Sequence, residues 1–148
     1  VKVGDAAQLT ASIGASYEVL ERGILDANYR YSDHLYASID PGRFTSATNK
    51  GTLELPSYGL MDAGFSYKML VGKNKDRSLN FRLNVNNVLD KIYIAESRAN
   101  IFADDFISGT SGPTYASTPG RTYNGVADAN QVFFGFGRTW NFTLRYNF

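Results

Sequence analysis

Polar and apolar residues alternate along this chain in five long runs, and side chains alternate across a β-strand. In the first run, Ala7–Leu20, Leu9, Ala11, Ile13, Ala15, Tyr17 and Val19 share one face. Gln8, Thr10, Ser12, Gly14, Ser16 and Glu18 share the other. The second run, Ile24–Asp40, sets Leu25, Ala27, Tyr29, Tyr31, Leu35, Ala37 and Ile39 against Asp26, Asn28, Arg30, Ser32, His34, Tyr36 and Ser38, with Asp33 a polar intruder on the apolar face. The third, Tyr58–Val71, sets Met61, Ala63, Phe65, Tyr67, Met69 and Val71 against Asp62, Gly64, Ser66 and Lys68. The fourth, Ser78–Val88, sets Leu79, Phe81, Leu83 and Val85 against Asn80, Arg82, Asn84 and Asn86. The fifth, Gln131–Phe148, ends in strict alternation: Trp140, Phe142, Leu144, Tyr146 and Phe148 on one face, Thr139, Asn141, Thr143, Arg145 and Asn147 on the other. The pattern predicts an all-β, antiparallel chain.

Run length and connections carry the argument further. A tilted strand needs roughly 9–11 residues to cross a bilayer's apolar layer, whereas soluble strands average about 5–6. The connections alternate: short at 21–23, long at 41–57, short at 72–77, long at 94–131. Gly23 is expected to supply the left-handed residue of the first turn. Pro41-Gly42 opens the first long loop and Pro56 closes it. The second long loop far exceeds the ~12–15 residues usual in compact domains, so it is expected to be functional, seated on something, or disordered. Short turns on one side and long loops on the other are the asymmetry of an outer-membrane barrel, with the long loops extracellular.

Composition narrows the picture. The 148 residues carry a net charge of +1, no cysteine, ten Tyr and ten Phe, yet mean hydropathy is slightly negative. Without cysteine there is no disulfide framework or thiolate metal site, and so small a charge gives no long-range attraction for nucleic acid. No apolar run is long enough for a membrane helix, which leaves barrel strands open. The polar face suits a wet lumen: Asp26, Asn28, Arg30, Asp62, Lys68, Asn80, Arg82, Asn84 and Arg145 are expected to line it. Tyr and Trp cluster toward the ends of the apolar face, as interfacial girdles do. Five strands are fewer than the roughly eight of the smallest membrane barrels. The start at Val1-Lys2-Val3, with neither initiator Met nor signal peptide, reads as the C-terminal portion of a longer exported chain.

Two stretches carry a family resemblance. Leu83-Asn84-Val85-Asn86-Asn87-Val88-Leu89-Asp90-Lys91-Ile92-Tyr93 resembles the segment that ends the penultimate strand of TonB-dependent outer-membrane receptors. Phe134-Gly135-Phe136-Gly137-Arg138-Thr139-Trp140, followed by Leu144-Arg145-Tyr146-Asn147-Phe148, resembles their closing strand. Val88-Leu89 and Gly137 depart from the usual pattern. The resemblance is best over residues 79–148. It implies a barrel of about 22 strands filled by a plug, of which these residues are the last five strands. It implies residence in the outer membrane of a Gram-negative bacterium, bounded by outer-membrane lipid, and energy delivered by TonB from ExbB–ExbD. The cargo would be a scarce, large nutrient: a siderophore, haem, cobalamin, a glycan or a peptide. Trp140, Phe142, Leu144, Tyr146 and Phe148 would be the signal read by the barrel-assembly machinery. The alternatives are another outer-membrane barrel, such as a passive channel or adhesin, and a soluble ligand-binding β-domain.

No Ser/His/Asp or Cys/His set supports nucleophilic catalysis, and the chain is not read as an enzyme. His34, the only histidine, and the Asp104-Asp105 pair read as solvated groups before they read as ligands. Phe102, Asp104, Asp105, Phe106, Tyr115 and Tyr123 in the second long loop are the candidates for contact with an external ligand or partner protein. Asn84, Asn86 and Asn87 are expected to bond backbone at a strand end. In the hairpin at 72–76, Met69 is expected opposite Leu79, because Met69 opposite Phe81 would set Lys68 against Arg82.

Overall fold

The computed structural model describes residue 2, residues 4–39 and residues 50–148. All regular elements among them are strands: β1 (Ala7–Leu20), β2 (Gly23–Tyr36), β3 (Glu54–Leu55), β4 (Tyr58–Val71), β5 (Arg77–Asn86), β6 (Ile94–Ser97), β7 (Thr122–Tyr123), β8 (Val126–Ala127), β9 (Val132–Phe134) and β10 (Thr139–Asn147). The five long strands form one sheet in the order β1-β2-β4-β5-β10, with β3 paired to β2. β6 pairs with β9 and β7 with β8 as separate small ladders. Asp40 and the Pro41-Gly42 loop opening lie outside the described residues.

The chain divides into two compact units. The strand unit comprises Ala11–Tyr31, Gly59–Lys91 and Phe136–Phe148. The connection unit comprises Val1–Thr10, Ser32–Tyr58 and Ile92–Gly135.

In the strand unit, register sorts side chains into rows. Across β4, β5 and β10 the apolar rows read Ala63–Val85–Trp140, Phe65–Leu83–Phe142, Tyr67–Phe81–Leu144 and Met69–Leu79–Tyr146. The polar rows between them read Gly64–Asn84–Asn141, Ser66–Arg82–Thr143 and Lys68–Asn80–Arg145. Met69 thus faces Leu79 and Lys68 faces Asn80, as expected from like-charge avoidance. Gly72, with φ of 95°, and Lys75, with φ of 56°, turn the chain between the paired Val71 and Arg77.

Three local expectations are corrected. The left-handed residue of the first turn is Arg22, with φ of 67°, and not Gly23. The Arg22 backbone N–H donates to Glu18 Oε1 at 3.3 Å, which holds that turn. Gly23 opens β2, where a Cβ would lie 2.9 Å from that of Leu20. Near the end of β2, His34 adopts φ of 51° and its N–H donates to Asp33 Oδ1. A left-handed residue inside a strand marks a bulge; Asp33 is an intruder because the alternation breaks there, and Leu35, Tyr36 and Ala37 are then buried consecutively. Finally, 131–148 is not one strand: β9 stops at Phe134 and β10 starts at Thr139.

The connection unit has a core of its own. Leu35, Ala37, Leu53, Leu55, Ile94 and Val126 are buried together, with Ala7, Tyr58, Phe102 and Val132 packed on them. Buried asparagines satisfy the irregular backbone, as buried polar groups must be. Asn100 accepts from the Leu53 N–H at 2.8 Å and donates to the Ser38 carbonyl at 2.9 Å. Asn130 accepts from the Ile101 N–H and donates to the carbonyls of Ile101 and Ala127. The long connection at 94–131 is therefore folded rather than a polar tether.

One glycine is fixed by what crosses it. The Arg82 guanidinium of β5 reaches over β4 to Asp26 of β2, and a Cβ on Gly64 would lie 2.6 Å from Arg82 Nη2 and 2.7 Å from Asp26 Oδ1. Gly64→Val should force the pair apart and cost roughly 1–3 kcal/mol of stability, read by urea unfolding. Wild-type stability in that variant would show that the crossing does not constrain the site.

Candidate functional site

Three groups of side chains bear on function. The first is the polar face of the strand unit, which holds the nine residues expected to line a lumen. Arg82 Nη2 donates to Asp26 Oδ1 at 2.9 Å, and Nη1 lies 2.7 Å from Oδ2 as an ion-pair contact without hydrogen-bond geometry. Its Nε donates to Asn84 Oδ1 at 2.7 Å, and Asn84 Nδ2 donates to Asn141 Oδ1 at 2.9 Å. Arg30 pairs with Asp62 at 2.8 Å. Asn86 donates to Thr139 and Asn147 to Ser78. This face is thus a lattice of polar side-chain contacts running through β2, β4, β5 and β10.

The second group is a bracket between the end of β5 and the start of β10. Asn87 is buried and left-handed, with φ of 50°. Its N–H donates to Asp62 Oδ1 at 2.9 Å. Its amide Nδ2 donates to the carbonyls of Lys91 and Phe136, and its Oδ1 accepts the Lys91 N–H. Asp90, with φ of 52°, accepts the Arg138 N–H at 2.8 Å, and the Arg138 guanidinium lies 3.5 Å from its other oxygen. The Arg138 N–H holds the Asp90 carboxyl below its ordinary value of 3.8 against the opposing effect of desolvation, with a lesser contribution from the nearby guanidinium. Of the three asparagines expected to bond backbone, only Asn87 does so; Asn84 and Asn86 bond side chains of β10.

The third group is in the connection unit. The ligand-contact candidates do not form one surface. Lys50 Nζ sits 2.8 Å from Asp104 Oδ1 and 2.7 Å from Asp105 Oδ1, and 5.6 Å from the centre of the Phe102 ring. The hydrogen bonds that Lys50 donates to Asp104 and then Asp105 hold it above the usual lysine range, and the same ammonium lowers Asp104. The second Asp105 oxygen accepts the Phe102 N–H at 2.7 Å. The two aspartates are thus occupied by a lysine rather than merely solvated. Tyr115 is buried, with Arg121 over its ring, which removes it from the contact candidates. Phe106 is exposed and bridges Thr114. Tyr123 is exposed and meets Phe134 edge-on at 5.7 Å, while Arg98 covers Phe133 at 4.8 Å. Sequence reasoning assigned Phe133 and Phe134 to a continuous last strand and missed this platform; the adjacent aromatics, which break alternation, were the available signal. His34 lies half-exposed at the β2 bulge with Nδ1 3.6 Å from Asp33. No group of three or more His, Cys, Asp or Glu is placed to hold a metal among the described residues.

No family model, no curated protein and no solved structure matches this chain.

The bracket gives a direct expectation. Asn87→Ala strands buried backbone groups and puts a Cβ-bearing residue without a compensating amide in the left-handed region. It should cost on the order of 2–4 kcal/mol and speed amide exchange at 87–92 and 136–139. A depressed folded pKa contributes stability above the ordinary carboxylate value and loses it as pH falls through the folded one. The Asp90–Arg138 end should therefore open only below pH 3.8, and Asp90→Asn should abolish that acid step. An unchanged acid profile in Asp90→Asn would contradict the assignment.

Proposed function

We propose that these residues are the closing wall of the barrel of a TonB-dependent outer-membrane receptor that imports a scarce, large nutrient. The observation that carries this reading is the two-faced sheet. The apolar rows stand open on one side, with Trp140 72% exposed, Phe142 56% and Leu144 55%, and the lattice of ion pairs and amides fills the other. Contiguous apolar area of that extent marks a membrane or protein contact.

The connections support the same reading. Turns of two and five residues, 21–22 and 72–76, alternate with a long one at 37–57 and one at 87–138. Strands of 14 residues in β1, β2 and β4 exceed what a bilayer crossing requires. β1 and β10 are the edges of the sheet among the described residues, and an open edge in hydrocarbon costs several kcal/mol for each unpaired backbone group. Both edges are therefore expected to pair with further strands, closing a barrel of about 22, with a plug inside and TonB and ExbB–ExbD supplying energy. Of the exposed aromatics of the connection unit, Tyr123 with Phe133 and Phe134 is the group offered to the cargo or to a partner outside the cell.

The lipid-facing assignment is tested by depth-dependent substitution. Arg at Leu83 or Phe142 should cost about 2–4 kcal/mol near the bilayer midplane and lower the amount assembled in the outer membrane. Arg at Ser16, an exposed residue on the polar side of β1, should cost about 1 kcal/mol or less. Equal tolerance on both faces, or extraction of the wild-type protein without detergent, would overturn the reading.

A further inference from the structure

The apolar face of the strand unit is not flat. A groove of about 550 Å³ lies in it, with Leu20, Tyr67, Met69, Phe81, Leu83 and Phe142 in a wall that is apolar throughout. Leu20 reaches it from the first short turn, which lies beside β4 because the Lys68 N–H donates to the Arg22 carbonyl at 3.0 Å. Across β4 and β5 the groove takes in the rows of Phe65–Leu83, Tyr67–Phe81 and Met69. The next row outward on the same face is Val71–Arg77, where the alternation passes from apolar to cationic.

Arg77 follows a turn that also carries Lys73 and Lys75, and all three are exposed. Against these three cations stands one carboxylate, Asp76. Among the described residues none of the three cations has an ion-pair partner. The first short turn adds no net charge, since Arg22 and Glu21 pair with each other at 3.0 Å. Glu18, Lys68 and Arg145 stand near the same end of the sheet but on its polar face.

The length of the groove fits one leaflet. Leu83 is six residues from Arg77. At about 3.3 Å per residue that is roughly 20 Å along the strand. Barrel strands tilt by about 35–45°, so the drop along the membrane normal is roughly 15 Å. That is half of the ~30 Å hydrocarbon layer. An acyl chain in the groove would end near the midplane while its headgroup lay level with Arg77. Tyr146, opposite Leu79 in the row just inside Arg77, stands where interfacial tyrosines do.

We propose that this groove and turn bind one anionic phospholipid, its acyl chain against Tyr67, Phe81 and Leu83 and its headgroup phosphate among Lys73, Lys75 and Arg77. The inference rests on the reading of this face as lipid-facing, and adds to it a headgroup charge and a leaflet, the one on the short-turn side. A zwitterionic headgroup brings an ammonium of its own to the same cations; an anionic one brings only attraction. Each Lys or Arg at a membrane surface strengthens attraction to anionic lipid about fivefold.

The test is native mass spectrometry of the full-length protein, extracted in detergent from the outer membrane. It is supplied with phosphatidylglycerol and phosphatidylethanolamine of the same acyl chains in equal amounts. Phosphatidylglycerol should be retained in preference. Lys73→Gln combined with Lys75→Gln should lower that preference about fivefold for each charge removed, with the heat-modifiable migration of the folded barrel retained. Leu83→Trp, which fills the groove, should lower retention of both lipids and leave their ratio alone. Equal retention of the two lipids overturns the site, as does a ratio that falls as much in Lys68→Gln on the opposite face. Displacement of phosphatidylglycerol by an equal amount of inorganic phosphate would mark a bare anion site and overturn it too. Recovery as a lipid-free dimer would give the groove to a second copy of the chain. Extraction without detergent would overturn the membrane reading and the lipid site with it. Detergent-dependent extraction with equal retention of the two lipids would count against the lipid site alone.

Discussion

Register between β4, β5 and β10 is the constraint on which the long sheet depends. The period of a strand is two, so a slip of one residue would exchange the faces completely. A slip of two would keep the faces but set Lys68 against Arg82. In the register adopted, Arg82 lies opposite Ser66 and Thr143, which leaves its guanidinium free to cross β4 at Gly64. The bond to Asp26 then ties β5 to β2, two strands away. Because that crossing requires a residue without a Cβ, it ties the identity of position 64 to the charges at 26 and 82. The aromatic rows on the opposite face follow from the same choice: Phe81 comes diagonally against Phe142 with ring centres 6.3 Å apart.

Much of the strand unit was legible in the sequence. The bounds of β1 and β4 follow from alternation alone, as does the sorting of Asp62, Lys68, Asn80, Arg82, Asn84 and Arg145 onto one face. Such periodicity is a local signal, repeated over many residues, and each residue votes independently. What alternation could not show was where it fails. The bulge at Asp33-His34 looked like a single polar misfit. The left-handed residue of the first turn was assigned to glycine on propensity, whereas the Glu18 carboxylate makes Arg22 acceptable by capping its N–H. The faces themselves were legible, but the ion pairs across the polar face were not, since pairing Asp26 with Arg82 requires knowing that β2 and β5 flank β4.

The connection unit was hidden for a different reason. Its composition, rich in Gly, Ser, Thr, Asn and Asp, is what a solvated loop shows. Its stability comes from a few distant pairings: Ile94 and Val126 in one core, Asn100 bridging 38 and 53, Asn130 clamping 101 and 127. None has a sequence period. An asparagine whose amide replaces strand pairing for an irregular backbone resembles any turn asparagine until its partners are known. The same applies to Lys50, which sits between two aspartates more than fifty residues along the chain.

The residues that carry the family resemblance prove to be those that build the bracket. Asn87, Asp90 and Lys91 from the first stretch meet Phe136 and Arg138 from the second, through bonds that are mainly to backbone. Asn87 answers a specific need: β5 must end, turn left-handed, and leave its last amides satisfied where no strand continues. Asp90 answers the matching need at the start of β10, by capping the Arg138 N–H after the chain has returned from the connection unit. These contacts close two strand ends. The bracket therefore speaks to architecture, whereas the side chains of Tyr123 and Phe134 take part in neither that closure nor the core of the connection unit.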